Sequence, residues 1–287
     1  MVLGYSCNNR CVFCSVGDKR NLKDKTTEEA KLEVLALRKR GYEGIQFIGG
    51  EPTIRKDISE IVSYCKELGF EEVSFESNGR MFAYPGFCNK MKKAGLTNVS
   101  VSLHGHCKEV HDYLTQAPDS FDETIKGISN LVSLGIISCI NCVLTQKNLP
   151  HIDKFINLAQ KIKVKKILFL VINPIGLAKG RIDLVPKISD VGKCLEKIKD
   201  SSLSIAIKNM PHCINPKISQ NIIKSDSNMS MLMEARLSNM QENIEKLKVK
   251  NANCSGCSKN KECGGIWKGY VEIYGDKEIS ACDVKKK

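Results

Sequence analysis

The residues with the most chemistry in this 287-residue chain are its 14 cysteines, and the first three lie close together. Cys7, Cys11 and Cys14 form a CxxxCxxC array within YSCNNRCVFCS, Tyr5 to Ser15. Three thiolates so near in sequence can converge on one small inorganic object. The spacing is odd for zinc, whose structural sites favour CxxC pairs and close a tetrahedron with four protein ligands. A cubane 4Fe–4S cluster has four iron corners and is usually held by cysteine thiolates. Three thiolates on four irons leave one corner for something that is not protein.

A second group lies near the other end. Cys254, Cys257 and Cys263 read CxxC followed by a third cysteine, a strong metal signal. Cys213, in a proline-flanked turn, and Cys282 are both candidates for a fourth ligand, and spacing does not choose between them. A structural zinc site is the competing use of this set. Cys65, Cys88, Cys107, Cys139, Cys142 and Cys194 are scattered and read as small apolar core side chains. Disulfides suit short secreted chains rather than one of this length.

The elements that position these residues follow a rhythm. Strands are expected at Val2–Gly4, 44–48, 72–76, 99–103, 136–144 and 166–172, each followed by a loop and then a helix. The helices are expected at 27–40, 57–68, 86–94, 121–134, 150–162 and 188–199, with a long loop between the fourth strand and its helix. Six βα units imply parallel strands joined by right-handed crossovers, with ligand loops at the strands' C-terminal ends. Gln46, Ser74, Glu76, Ser100, Ser102 and Asn141 alternate with apolar neighbours, which points to a wet lumen rather than a sheet buried on both faces.

These residues resemble the radical S-adenosylmethionine (SAM) superfamily. The resemblance rests on Cys7, Cys11 and Cys14, on aromatic Phe13 before the third cysteine, and on Gly49–Gly50–Glu51–Pro52 after the second strand. Either motif alone is weak; both at strand ends of a βα series are specific, and the match covers about residues 1–200. It implies an α/β partial (β/α)6 TIM-like barrel, a 4Fe–4S cluster and SAM. The chemistry implied is reduction of SAM's sulfonium to methionine and a 5′-deoxyadenosyl radical, which takes hydrogen from a substrate. Glu51 and the backbone of Gly49 and Gly50 are then the acceptors for SAM's amino group. Ser77, Asn78, Ser102 and Asn141 are candidates for ribose and carboxylate contacts, with the Asn173–Gly176 loop near the adenine. The catalytic residue stays unassigned; Glu76, His104 and Asp112 are candidates for a general base.

Beyond residue 200 the rhythm stops. Ser204–Lys208 is a possible further strand, and 230–248 reads as an amphipathic helix. The C-terminal cysteines resemble the SPASM or shorter twitch extensions of peptide-modifying members, which makes 201–287 a small auxiliary-cluster domain. Trp267 stands where a further SPASM cysteine is expected, so the resemblance implies one auxiliary 4Fe–4S cluster rather than two. A ribosomally made peptide is the expected substrate, with a nucleoside, RNA base or cofactor precursor as the alternative. A non-catalytic iron–sulfur or zinc protein is the reading from another class, and the GGEP loop speaks against it. A reduced ferredoxin or flavodoxin-type donor is the expected electron source.

The formal net charge is +12, but the lysines are spread and not interleaved with aromatics, so a solvated surface is favoured over a nucleic-acid face. No apolar run approaches the ~20 residues that cross a bilayer. No charged-then-apolar leader precedes the first cysteines, and the expectation is a cytoplasmic protein.

Overall fold

The computed structural model describes residues 1–198, 203–223, 230–233 and 236–282. The boundary at residue 200 and the lysines at 285–287 lie outside the described residues. One six-stranded parallel sheet contains β1 (Gly44–Phe47), β2 (Glu72–Ser77), β3 (Asn98–Ser102), β4 (Ile137–Leu144), β5 (Lys166–Val171) and β6 (Ser204–Lys208), in that spatial order. Sequential order distinguishes it from a doubly wound sheet, where the order reverses at a switch point. Helix α1 (Thr27–Lys39) precedes β1, and helices α2 (Ile58–Glu67), α3 (Pro85–Ala94), α4 (Lys108–Thr115), α5 (Ser120–Leu134), α6 (Ile152–Lys161) and α7 (Ile188–Glu196) link the strands. The architecture is an α/β partial barrel.

The two faces of the strands differ as their sequence alternates. Phe47, Phe75, Val99, Val101, Ile140, Ile167 and Phe169 are fully buried in the apolar core. Gln46, Ser74, Glu76, Ser100, Ser102 and Asn141 alternate with them; Glu76, Ser102 and Asn141 line one cavity, Gln46, Ser74 and Glu76 another, and Ser100 bonds the Ser138 hydroxyl. A register shift between Val99 and Ser100 sets Ser100 beside Cys139 and Ser102 beside Asn141, which keeps the polar positions of β3 and β4 level.

Three expectations are corrected. Val2–Gly4 is not a full strand: Val2 forms a single parallel bridge to Ile48. Beyond it the chain turns away, because the Tyr5 and Ser6 amides donate to Asp24 Oδ1 rather than to a neighbouring strand. The sixth strand is instead β6, so the sheet runs past residue 200. Secondly, the long loop after β3 contains α4, which buries Val110, His111, Leu114 and Thr115 at helical spacing. Thirdly, the stretch 230–248 begins as a hairpin of β7 (Ser230–Met233) and β8 (Arg236–Asn239). Its helix, α8 (Met240–Lys246), starts only where the Asn239 side chain accepts from the Glu242 amide. After it come β9 (Lys248–Val249), β10 (Ile266–Trp267) and α9 (Lys268–Tyr274).

Both sheet edges are covered by chain from outside the sheet. At β1, the Leu3 amide donates to the Ile48 carbonyl and the Val2 amide to the Leu232 carbonyl of β7. At β6, Ile207 bridges to Ile222. Among the described residues no helix is long and apolar enough to cross a membrane.

Candidate functional site

The cysteine loop is pinned along its length by backbone bonds. The Arg10 amide donates to Thr115 O at 2.8 Å and the Val12 amide to Leu114 O at 3.0 Å, so the end of α4 holds the middle of the loop. Arg80 donates to Asn8 O and Asn9 Oδ1 and pairs with Glu123 of α5. Past the third cysteine, the Leu177 amide donates to Cys14 O at 3.0 Å.

The GGEP loop meets the cysteine loop backbone to backbone. The Gly50 amide donates to Gly4 O at 2.9 Å and the Glu51 amide to Ser6 O at 2.8 Å. A Cβ on Gly49 would lie 2.2 Å from Gly4 O, and one on Gly50 would lie 2.1 Å from Ser6 O. Gly49 also sits at φ 130°, where L side chains are rare. The two glycines are therefore what lets the end of β1 touch the thiol loop. Glu51, buried, accepts at Oε1 from Thr53 and Ser77 and at Oε2 from the Asn78 amide at 2.6 Å. Burial pushes its carboxyl above the usual range, and these donors oppose the shift. Glu51 thus joins the ends of β1 and β2, a bracing role that its sequence context did not announce.

One cavity of about 320 Å³ gathers most of the expected residues. Cys7, Cys11, Phe13, Cys14, Gly49, Gly50, Glu51, Ser77, Asn78, Ser102 and Asn141 all line it. Pro52 does not; it is buried behind, opening the short turn after Glu51. Of the base candidates, Glu76 and His104 line the cavity. Asp112 is not at the cavity: its carboxylate accepts from the amides of Asp119 and Phe121 and the Ser120 hydroxyl, where it holds the start of α5. Gly176 packs on the cysteine loop, its Cβ position 2.6 Å from Cys14 O, while Asn173 of the same segment reaches the cavity wall.

Sequence reasoning missed Asn9, Arg20 and Asn209, which also line the cavity. Asn209 follows β6 directly, and the rule that ligands gather at strand C-terminal ends applies to it as to the others. Glu76 accepts from Asn141 Nδ2 at 2.9 Å; burial raises its carboxyl and Lys208 opposes the rise. His104 Nδ1 accepts from the Val143 amide, and its ring meets Phe13 edge-on at 4.8 Å. Burial pulls the ring's pKa down to about 3, so it is neutral at ordinary pH.

The three thiols suit a polynuclear centre. Burial pushes Cys7 up to about 11 and Cys11 up to about 12, their mutual charge adds to the rise, and Arg20 opposes it. Held as thiolates, they call for positive charge among them. Cysteine thiolates are the usual holders of a cluster of several irons.

At the other end, Cys213, Cys254, Cys257, Cys263 and Cys282 line one small pocket together with Lys250. All five are free thiols. The Cys282 amide donates to Cys257 Sγ at 3.3 Å and the Gly265 amide to Cys263 Sγ at 3.4 Å. The structure brings both fourth-ligand candidates to the pocket.

Comparison with known proteins agrees with this architecture. Residues 1–159 match the radical SAM superfamily. Relatives named probable GTP 3′,8-cyclase include one from Saccharolobus solfataricus, 32% identical over 205 residues. That match covers 71% of this chain and 66% of the relative, so the chain spans just under two thirds of that relative's length. One from Sulfurisphaera tokodaii is 31% identical, covering 70% and 64%. Among solved structures, Streptococcus suis SuiB bound to the precursor peptide SuiA superposes over 100% of this chain and 75% of its own, at TM-score 0.68 and 16% identity. The native anSMEcpe structure with bound AdoMet covers 98% and 92% at TM-score 0.65 and 17% identity, a likeness of fold. A cavity walled by CxxxCxxC and GGEP loops on a six-stranded partial barrel, and a family match over more than half its length, place this chain in the radical SAM superfamily.

Proposed function

We propose that this chain cleaves SAM reductively and uses the 5′-deoxyadenosyl radical to take hydrogen from a nucleotide-type substrate: a nucleoside, an RNA base or a cofactor precursor. The observation that carries the substrate class is the 32% identity to a relative named as a GTP cyclase. The charge of +12 and Arg20 on the cavity wall suit an anionic ligand.

Cys7, Cys11 and Cys14 would hold a 4Fe–4S cluster. When bound, that cluster supplies the electron that breaks the sulfonium bond. The chain's own residues orient and exclude. Carbonyls and carboxylate of the Gly49–Glu51 turn offer acceptors to an amino group; Oε2 of Glu51, with one donor, keeps a lone pair free. Ser77, Asn78, Ser102 and Asn141 offer hydroxyl and amide groups to ribose and carboxylate. Phe13 and neutral His104 form an apolar edge that keeps water from a reactive intermediate. Glu76, with its raised carboxyl, is the lumen group suited to hold or pass a proton. Cys254, Cys257 and Cys263, with Cys213 or Cys282, would hold a second 4Fe–4S cluster. A reduced ferredoxin or flavodoxin-type protein is the electron donor in this reading.

A peptide substrate is the second reading. It is favoured by the likeness to peptide-bound SuiB over the whole chain, C-terminal third included.

The test is anaerobic reconstitution, reduction by dithionite and assay of 5′-deoxyadenosine from SAM. Formation that rises with GTP or another nucleotide, and not with peptides, is expected. A rise with peptides alone would overturn the substrate class. No 5′-deoxyadenosine under any condition would overturn the radical reading itself.

A further inference from the structure

Trp267, where the SPASM resemblance expects a cysteine, is buried with its indole Nε1 unpartnered. Opposite it in the β9–β10 pair stands Lys248, its ammonium 4.5 Å from the centre of the indole ring. The same Nζ donates to Asn209 Oδ1 at 3.2 Å. Asn209, in the left-handed region at φ 68°, follows β6 and lines the candidate-site cavity. On its other side Nζ approaches the C-terminal thiol loop: a Cβ on Gly264 would lie 3.4 Å away, and Cys263 is the preceding residue. Burial pulls its pKa down to about 8, and Cys263 and Glu245 are the anionic groups that oppose the fall.

One ammonium therefore touches the wall of the candidate-site cavity and an aromatic face, and lies near the loop carrying a thiol. A largely buried lysine is costly unless something favours its charge. The indole face returns part of that cost. A neutral amide and an indole do not by themselves call for a cation, whereas a thiolate at Cys263 and the carboxylate of Glu245 do.

We propose that Lys248 is a positioning residue between the two ends of the molecule. It places positive charge beside Cys263 and raises the reduction potential of the centre held there, while its bond to Asn209 sets one wall of the candidate-site cavity. The inference rests on the reading of the C-terminal centre as a 4Fe–4S cluster. A one-electron reduction makes such a centre more negative by one charge, and a nearby ammonium favours that form.

The test is a redox titration of the reconstituted full chain with dithionite. It follows by electron paramagnetic resonance the signal that added SAM leaves unchanged. In Lys248→Met and Lys248→Gln the midpoint should move to more negative potential, and Lys248→Arg should hold it near the parent's. Loss of C-terminal iron in the neutral variants supports the role if Lys248→Arg keeps its iron, and overturns it if Lys248→Arg loses iron too. Full iron with an unmoved midpoint in both neutral variants overturns the role of Lys248 alone. A parent protein without C-terminal iron overturns the cluster reading, and this role with it.

Discussion

Two adjacent glycines carry the joint between the thiol loop and the barrel. Because the added Cβ of Gly50→Ala would lie 2.1 Å from a backbone oxygen, the loops have to part rather than a side chain move. A loss of about 1–3 kcal/mol is expected, seen as a lower melting temperature together with reduced iron retention. A variant that melts and loads like the parent would show the joint to be dispensable. His104 gives a pH signature. Its folded pKa of about 3 lies below the ordinary 6.5, so between those values the unfolded chain binds more protons. Stability therefore falls as pH drops from about 6.5 toward 3. His104→Asn keeps an acceptor for the Val143 amide and should reduce this loss in urea titrations from pH 6.5 to 4, at equal metal loading; His111, whose pKa burial also pulls down to about 3, accounts for the remainder. An unchanged slope would exclude His104 as a source. The thiols and glycines were legible because their spacing is local. The bracing by Glu51 and the capping by Asp112 were not, since each depends on a partner that only the folded chain brings near; the same holds for Lys248 and Asn209, 39 residues apart.

The strands and most helices were legible from period-two and helical patterning with ordinary caps. α1 shows why: Thr26 accepts from the Glu29 amide while Glu29 accepts from the Thr26 amide, a capping box written in four consecutive residues. α4 escaped because it is short and two of its four buried positions are His111 and Thr115, which do not read as an apolar stripe. The β7–β8 hairpin escaped because its methionines suit either period. Val2–Gly4 misled because three apolar-compatible residues promise a strand that the turn into the thiol loop cuts short. Phe75, at the centre of β2 and fully buried against Phe47, tests the core these elements build. Phe75→Ala is expected to cost about 3–5 kcal/mol, read from denaturant unfolding. A cost below about 1 kcal/mol would mean that the helical face of the sheet does not close as a single core.

At the scale of the whole molecule, two groups of thiols stand at opposite ends of the chain, and metal counting tests whether they act separately. Two cubanes require about eight irons and eight sulfides per chain. Replacing Cys7, Cys11 and Cys14 together should leave about half of each, held at the C-terminal pocket. About four irons plus zinc in the parent would remove the second cluster from the proposal. Five thiols line that pocket, one more than a cubane has corners. Of the single variants Cys213→Ala and Cys282→Ala, one should therefore retain the full iron content and the other lose it. Loss in neither would point to exchangeable ligation.

The way the sheet's first edge is closed bears on how the chain is made. β1 ends the sheet, and beside it the opening residues bond both to Ile48 and, through Val2, to Leu232 of the β7–β8 hairpin. The hairpin leaves the ribosome roughly 185 residues after β1, a delay of ~10–40 s at ordinary rates of synthesis. Until then the opening residues that cover β1 have an open flank of their own, the kind of surface on which unfinished chains associate. Yield of this protein should therefore depend on how slowly its last third is translated, independently of iron supply.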